Sequence, residues 1–254
     1  MFNFQIVIPD VNQAWNNLCS NICRLEWFKK NNRLYMERFL RSKNNLLINE
    51  MIDDICLAKI DNDKQFCDKY FERFKIELFD IGEHKKMVEV IESAIPIVQK
   101  CYLRFEALNK SWDFKIWREY RIDINCYRAG AGYHAKFGVV DFGYCGDNFW
   151  KVSVTLVHEM LHLGIEEIIV QRFKLQQEEK ERIVDNLCIY AFNEINEIDN
   201  FYKWSDGTIS QYQEIAKVCS YMDECIGKQP ETNLVQSIDE FLRKFPEEKR
   251  YRVV

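Results

Sequence analysis

The first third of this chain contains no glycine, and this scarcity of turn-forming residues is the strongest limit on its possible folds. Gly82 is the first of only nine glycines among 254 residues, and the chain has four prolines. A chain with so few helix breakers favours long helices joined by short connections. Apolar side chains recur at three- and four-residue steps between residues 12 and 79, which predicts a block of helices there. The periodic residues include Trp15, Leu18, Cys19, Ile22, Leu34, Phe39, Leu40, Met51, Ile52, Ile55, Cys56, Phe66, Tyr70, Phe71 and Phe74.

The pattern changes where glycine becomes frequent. Five of the nine glycines lie between Gly130 and Gly146, and segments 121–127 and 133–142 alternate between apolar and polar residues. Such alternation is typical of strands, and a short glycine-containing connection is typical of a hairpin. We therefore predict two strands that pair with each other through residues 128–132.

Four further elements are predicted from the flanking sequence. The first ten residues contain a short first strand, and a helix runs from Lys86 toward Leu108 with a kink or boundary at Pro96. The last fifty residues form two helices. Their expected packing face is Phe241, Leu242 and Phe245.

The composition excludes several classes of partner. The formal net charge of −5 and the pI near 5.6 argue against nucleic acid as the main partner, which requires clustered Lys and Arg. No segment approaches the roughly 18–20 apolar residues of a membrane span, and the first residues lack the features of a signal peptide. We therefore expect a cytoplasmic protein whose ten cysteines are mostly reduced thiols packed in the core.

A metal-binding motif follows directly after the glycine-rich segment. Residues 158–162 read His-Glu-Met-Leu-His, which is an H-E-x-x-H sequence. On a helix, His158 and His162 share one face, so both imidazoles can bind one zinc ion. Glu159 is rotated by about 100° from His158 and lies beside the metal, where its carboxylate can accept a proton from an activated water. The motif predicts a zinc site with Glu159 as general base.

A catalytic zinc site needs a third protein ligand. A metzincin would supply it from H-E-x-x-H-x-x-G-x-x-H, but Ile165 occupies the glycine position and Ile168 the position of the third histidine, which excludes that class. The remaining source is a carboxylate on the helix predicted to begin near Gln176. Glu181 is one candidate, with Asp185 or Glu178 as substitutes, and a solvated surface charge is the alternative role for Glu181.

Between residues 115 and 195 the chain resembles the gluzincins, the thermolysin-like class of zinc metallopeptidases. Their pattern is H-E-x-x-H followed by E-x-x-x-D on the next helix, and Glu181-Arg-Ile-Val-Asp185 begins nineteen positions after His162. The resemblance implies Glu181 as third zinc ligand and Asp185 as acceptor for the free N–H of His158. It also implies an edge strand above the zinc that pairs with an extended peptide. The segment is similar as well to uncharacterised bacterial metallopeptidases, some of them associated with mobile elements.

We expect an α+β fold, mostly helical, with a small antiparallel sheet or hairpin packed beside the H-E-x-x-H helix. Three regions are predicted. Residues 1–112 form a helical N-terminal region, residues 113–200 a zincin-like core, and residues 201–254 C-terminal helices packed on that core, or the three are one continuous domain.

The expected function is zinc-dependent hydrolysis of a peptide bond in a peptide or protein substrate. A peptidase also needs a donor for the oxyanion, and the candidates are His134, Tyr133, Tyr127 and Tyr190. One alternative is a catalytically inactive, zinc-stabilised interaction module, associated with a mobile element, whose fourth zinc position is closed by a cysteine or His134. Another is a peptidase inhibited by its own N- or C-terminal segment.

Overall fold

The fold is α+β and mostly helical, as predicted. The computed structural model describes residues 3–30, 35–43, 45–56, 63–112, 114–144 and 148–204, with residues 236, 239, 240, 243 and 244. The helices are α1 (Val11–Cys23), α2 (Leu25–Lys30), α3 (Tyr35–Ser42), α4 (Leu46–Cys56), α5 (Asp63–Glu77), α6 (Ile81–Trp112), α7 (Phe149–Ile165), α8 (Gln177–Glu194) and α9 (Ile198–Trp204), and a π-helical segment, π1 (Glu166–Gln171), follows α7. The strands are β1 (Asn3–Val7), β2 (Glu119–Ala129), β3 (Ala131–His134) and β4 (Val139–Tyr144).

The sheet is mixed, not antiparallel, and its hairpin is not the predicted one. Its strand order is β1-β2-β4-β3, with β1, β2 and β4 parallel and β3 antiparallel at one edge. The predicted pairing of segment 121–127 with segment 133–142 by a direct hairpin is therefore wrong, because the hairpin joins β3 to β4 and β4 lies between β2 and β3. Strand β2 pairs with β4 as far as Asn125 and again at Ala129, and the register of this pair is irregular between those two residues. There the Arg128 guanidinium donates to Asp141 and to the Ala131 carbonyl, which holds the corner between β2 and β3.

Gly143 is essential to this corner. A Cβ built on Gly143 would lie 2.2 Å from the Gly130 carbonyl oxygen and 2.5 Å from that of Arg128, and both are backbone atoms. The Gly143 N–H also donates to the Gly130 carbonyl at 2.8 Å. Only a residue without a side chain allows β4 to approach the turn so closely.

Replacing Gly143 with alanine is expected to lower the free energy of unfolding by at least about 1–3 kcal/mol, because backbone must move to accommodate the methyl group. The matched control is Gly130→Asn. Gly130 has a φ of 72° and open space around its Cβ position, and asparagine tolerates that conformation, so we expect less than about 1 kcal/mol. Denaturant unfolding measures both values, and equal stability of Gly143→Ala and the wild type would contradict the packing.

Two apolar clusters organise the described chain. The first surrounds α7 and draws residues from α6, the sheet, α8 and α9, and the second is formed by α1 to α5 with Tyr127 of β2. Helix α6, assigned by sequence to the N-terminal helical region, thus packs in the same core as α7. Helix α6 continues through Pro96, so the predicted boundary is not found there. Ile91 and Ala94 before the proline and Val98 after it are all buried in this core, which holds both halves of the helix in place.

The predicted first strand is present as β1, which pairs in register with β2. The predicted C-terminal packing face of Phe241, Leu242 and Phe245 lies outside the described residues. None of the described helices combines the length and apolar composition that crossing a bilayer requires.

Candidate metal centre

Helix α7 carries the H-E-x-x-H motif through the centre of the main core. The helix begins at Asn148, whose side chain accepts a hydrogen bond from the Trp150 N–H at 2.9 Å and caps the first turn. From Val152 to Ile165 almost every side chain is buried. Glu159 and His162 are therefore polar groups held inside the protein, where they require polar or metal partners.

Helix α8 brings a carboxylate to these histidines. Its start is fixed by a capping box in which the Gln176 N–H donates to Glu179 at 2.9 Å. One turn later, Glu181 Oε2 lies 3.2 Å from His158 Nε2 and 3.2 Å from His162 Nε2. The other carboxylate oxygen accepts a hydrogen bond from Gln177. The side chain of Glu178, the sequence-based substitute, is outside the described part of the structure.

The three donor atoms fit a zinc ion. The two Nε2 atoms are 3.0 Å apart, so with Glu181 Oε2 they form a nearly equilateral triangle. A tetrahedral site with bonds of 2.0–2.1 Å has donor–donor edges of about 3.3–3.4 Å. Among the described residues, His158, His162 and Glu181 are the group whose ligand atoms could hold a metal ion. Two imidazoles and one carboxylate are a donor set that zinc prefers.

The pKa shifts favour the metal-binding forms of two ligands. Burial lowers the pKa of His162 to about 4, which keeps its imidazole neutral. Burial alone would raise the pKa of Glu181, but hydrogen bonds from both histidines outweigh burial and hold that pKa well below its usual range. A neutral imidazole and an ionised carboxylate are the forms that bind metal.

Asp185 and Cys188 lie behind His158. Asp185 is buried, and its Oδ1 is 3.6 Å from His158 Nδ1, which is an ion-pair contact and too long for a direct hydrogen bond. Cys188 is also buried; burial lowers the pKa of His158, but Cys188 and Glu181 outweigh burial and raise it. Asp185 thus faces the outer nitrogen of His158 without a direct hydrogen bond, and Cys188 lies nearby.

Replacing Asp185 with asparagine is expected to weaken zinc binding by about 10–100-fold, because groups behind a ligating histidine orient the ring and raise its basicity. A competition titration against a chromophoric chelator measures this change. The control is Glu194→Gln, an exposed carboxylate near the end of the same helix, which should bind zinc like the wild type. Wild-type affinity in Asp185→Asn would show that Asp185 has no part in the site.

Glu159 lies next to the three ligands without joining them. It is 9% exposed, and burial, together with the negative charge of Glu181, raises its pKa, while the positive charges of Arg128 and Lys180 act in the opposite direction. Its carboxylate is therefore near the proposed metal position but outside the group of ligand atoms. This is the arrangement that the sequence predicts for a general base.

The four candidate oxyanion donors occupy very different places. The Tyr133 ring lies against the His162 ring, with centroids 4.8 Å apart. His134 is exposed and, as the next residue of β3, points to the opposite face of the sheet. Tyr127 packs in the second cluster and donates to the Leu78 carbonyl, and Tyr190 lies about 180° around α8 from Glu181. Only Tyr133 of the four is seen at the metal ligands.

Three residues near the site were not identified as functional from the sequence. Cys188 was interpreted as a core residue, although its position seven residues after Glu181 places it on the same face of α8. Glu166 and Lys180 both contact the Tyr133 hydroxyl. Glu166 follows His162 by four residues, so helical spacing is a signal that could have linked it to the motif. The contact of Lys180 depends on how β3 packs against α8.

No protein-family model, curated protein or solved structure matches this chain. The observations that bear on function are therefore the chain's own: three convergent ligand atoms, a buried carboxylate beside them and an edge strand alongside.

Proposed function

We propose that this chain is a gluzincin-like zinc metallopeptidase that hydrolyses peptide bonds in a peptide or protein substrate. The observation that carries the proposal is the convergence of His158 Nε2, His162 Nε2 and Glu181 Oε2 within 3.0–3.2 Å of one another. The described group has three members, which is the number of protein ligands in catalytic zinc sites. The fourth position is then left for water or substrate.

The chain's own residues divide the chemistry between them. His158, His162 and Glu181 hold the ion, and a bound zinc ion polarises a carbonyl and lowers the pKa of a water molecule. Glu159 accepts a proton from the attacking water and passes it to the leaving amine. Glu159 and His162 are buried, which limits their contact with bulk water.

The sheet supports a peptide as substrate. Among the described strands, β3 lies at one edge and pairs with β4 only, and an edge strand is the kind of element to which an extended peptide adds. Tyr133 of β3 also touches His162, so this edge lies beside the metal ligands. A peptide added to β3 would pass the metal position.

A cytoplasmic location is part of the same proposal. Cys101, Cys126 and Cys188 are buried free thiols, which suits a reducing compartment. The net charge of −5 supports a peptide or protein over a nucleic acid as partner.

Metal removal tests the proposal. The purified protein is incubated with a mixed peptide library, and products are identified by mass spectrometry before chelation, after chelation and after addition of zinc. We expect cleavage that is lost with the chelator and restored by zinc, because the metal polarises the reacting groups. Bound zinc without cleavage of any peptide would contradict the peptidase and support the alternative, a zinc-stabilised interaction module.

A further inference from the structure

None of the described residues supplies His162 with the hydrogen-bond acceptor that usually orients a zinc-binding histidine. Such histidines almost always donate their second ring N–H to a carboxylate, a carbonyl or water. The His162 side chain is 2% exposed, and no described residue forms a hydrogen bond with its Nδ1. His158 differs, since its Nδ1 faces Asp185. Some other contact must fix the plane of the His162 ring.

Tyr133 makes that contact. Its ring is stacked on the His162 imidazole with centroids 4.8 Å apart and planes within 7° of parallel. This is an offset stack, which favours one orientation of the imidazole and blocks rotation of the ring toward the tyrosine. In this orientation the His162 ring directs its Nε2 toward Glu181 and His158.

The tyrosine is itself held at its hydroxyl. Tyr133 Oη donates to Glu166 Oε2 at 2.7 Å and accepts from Lys180 Nζ at 3.0 Å. Burial and the neighbouring Glu166 raise the pKa of Tyr133, so the hydroxyl keeps the proton that it donates. Glu166 begins π1 directly after the motif helix, and Lys180 precedes Glu181 on α8. The Tyr133 side chain thereby joins β3 to π1, which continues the motif helix α7, and to α8, which carries Glu181.

We propose that Tyr133 is the positioning residue for His162, replacing the usual hydrogen-bond acceptor with an aromatic stack that Glu166 and Lys180 hold in place. The consequence for metal binding rests on the proposed zinc site. The stack also links the β3 edge to the geometry of the ligands. A movement of β3 would move the Tyr133 ring and, through it, the His162 imidazole.

Cobalt(II) binding tests the positioning role. Tyr133→Leu removes the stack, Tyr133→Phe keeps the ring without its hydroxyl, and Phe137→Leu, an exposed aromatic in the same hairpin, is the matched control. We expect Tyr133→Leu to weaken cobalt binding about 10–100-fold, the effect of losing an orienting group, and to change the visible spectrum of the bound ion. Tyr133→Phe keeps the stack but loses the contacts with Glu166 and Lys180, so it should lose less cobalt affinity than Tyr133→Leu, and Phe137→Leu should match the wild type. A wild-type spectrum and affinity in Tyr133→Leu would overturn the inference, as would equal losses in Tyr133→Phe and Tyr133→Leu.

A metal-free measurement separates this inference from the proposed function. The chain has four histidines, so selective labelling allows the His162 ring signals to be assigned by NMR. Stacking on Tyr133 should shift them upfield in the wild type and in Tyr133→Phe but not in Tyr133→Leu. An unshifted His162 in the metal-free wild type would overturn the stack. Failure of the wild type to bind cobalt, with the shift present, would instead overturn the metal site alone.

Discussion

Replacing Glu159 with glutamine is expected to reduce peptide hydrolysis by about 10²–10⁴-fold and to leave zinc bound. Glutamine keeps the shape of the side chain but cannot accept a proton. The metal should remain because the ligand atoms belong to His158, His162 and Glu181, and Glu159 is outside this group. Initial rates on one cleaved peptide, together with zinc content, measure both parts of the prediction.

The matched control for this change is Glu167→Gln. Glu167 is an exposed carboxylate on π1 that pairs with Lys115 at 2.8 Å, so its loss should leave the rate near the wild-type value. Full activity in Glu159→Gln would exclude Glu159 as the base. Loss of zinc from Glu159→Gln would make Glu159 a ligand and require a different base.

Replacing Glu181 with alanine is expected to weaken zinc binding by more than about 100-fold. Disturbing a group behind a ligand costs about 10–100-fold, and removal of a ligand itself should exceed that range. Glu181 is also the negatively charged member of the ligand group, and its Oε2 lies 3.2 Å from both histidine Nε2 atoms. Its loss would leave the charge of the metal ion without a carboxylate among these ligands. Chelator competition on the purified variant gives the affinity, and its thermal unfolding shows whether the fold is intact.

Two variants sharpen this test. Glu194→Ala removes an exposed carboxylate from the same helix and should retain wild-type affinity. Glu178→Ala addresses the alternative third ligand left open by the sequence. Retention of zinc in Glu181→Ala with loss in Glu178→Ala would contradict the proposed ligand set.

The local features of the site could be predicted because, on a helix, the spacing of two residues in the sequence determines whether their side chains point in the same direction. Residues four apart lie on one face, so His158 and His162 had to face the same way, and Glu181 and Asp185 likewise. The structure brings the two pairs together, with Glu181 between the histidines and Asp185 behind His158. The helical character of most of the chain followed equally from apolar periodicity and scarce glycine.

The order of the strands could not be predicted in this way. Alternation indicates that segments 121–127 and 133–142 are extended, but it does not say which strands pair. The pairing depends on the close approach of Gly143 to the Gly130 carbonyl and on the contacts of Arg128 at the corner. Two of these contacts, Gly143 with Gly130 and Arg128 with Asp141, join residues thirteen positions apart, and the sequence pattern carries no sign of them.

The role of Tyr133 was only partly visible for the same reason. The sequence made it one of four possible oxyanion donors because it lies on the predicted second strand, near the motif in sequence. Its stacking on His162 and its contacts with Glu166 and Lys180 arise from the position of β3 at the sheet edge beside α7. That position depends on the strand order, which the sequence did not reveal.

The zinc content of the purified wild-type chain tests the central proposal most directly. Elemental analysis after dialysis, with and without prior reconstitution, gives the number of ions per chain. The convergence of His158, His162 and Glu181 predicts one zinc ion per chain, removed by a chelator and regained on reconstitution. A chain that holds no zinc even after reconstitution would contradict the metal site and, with it, the proposed peptidase.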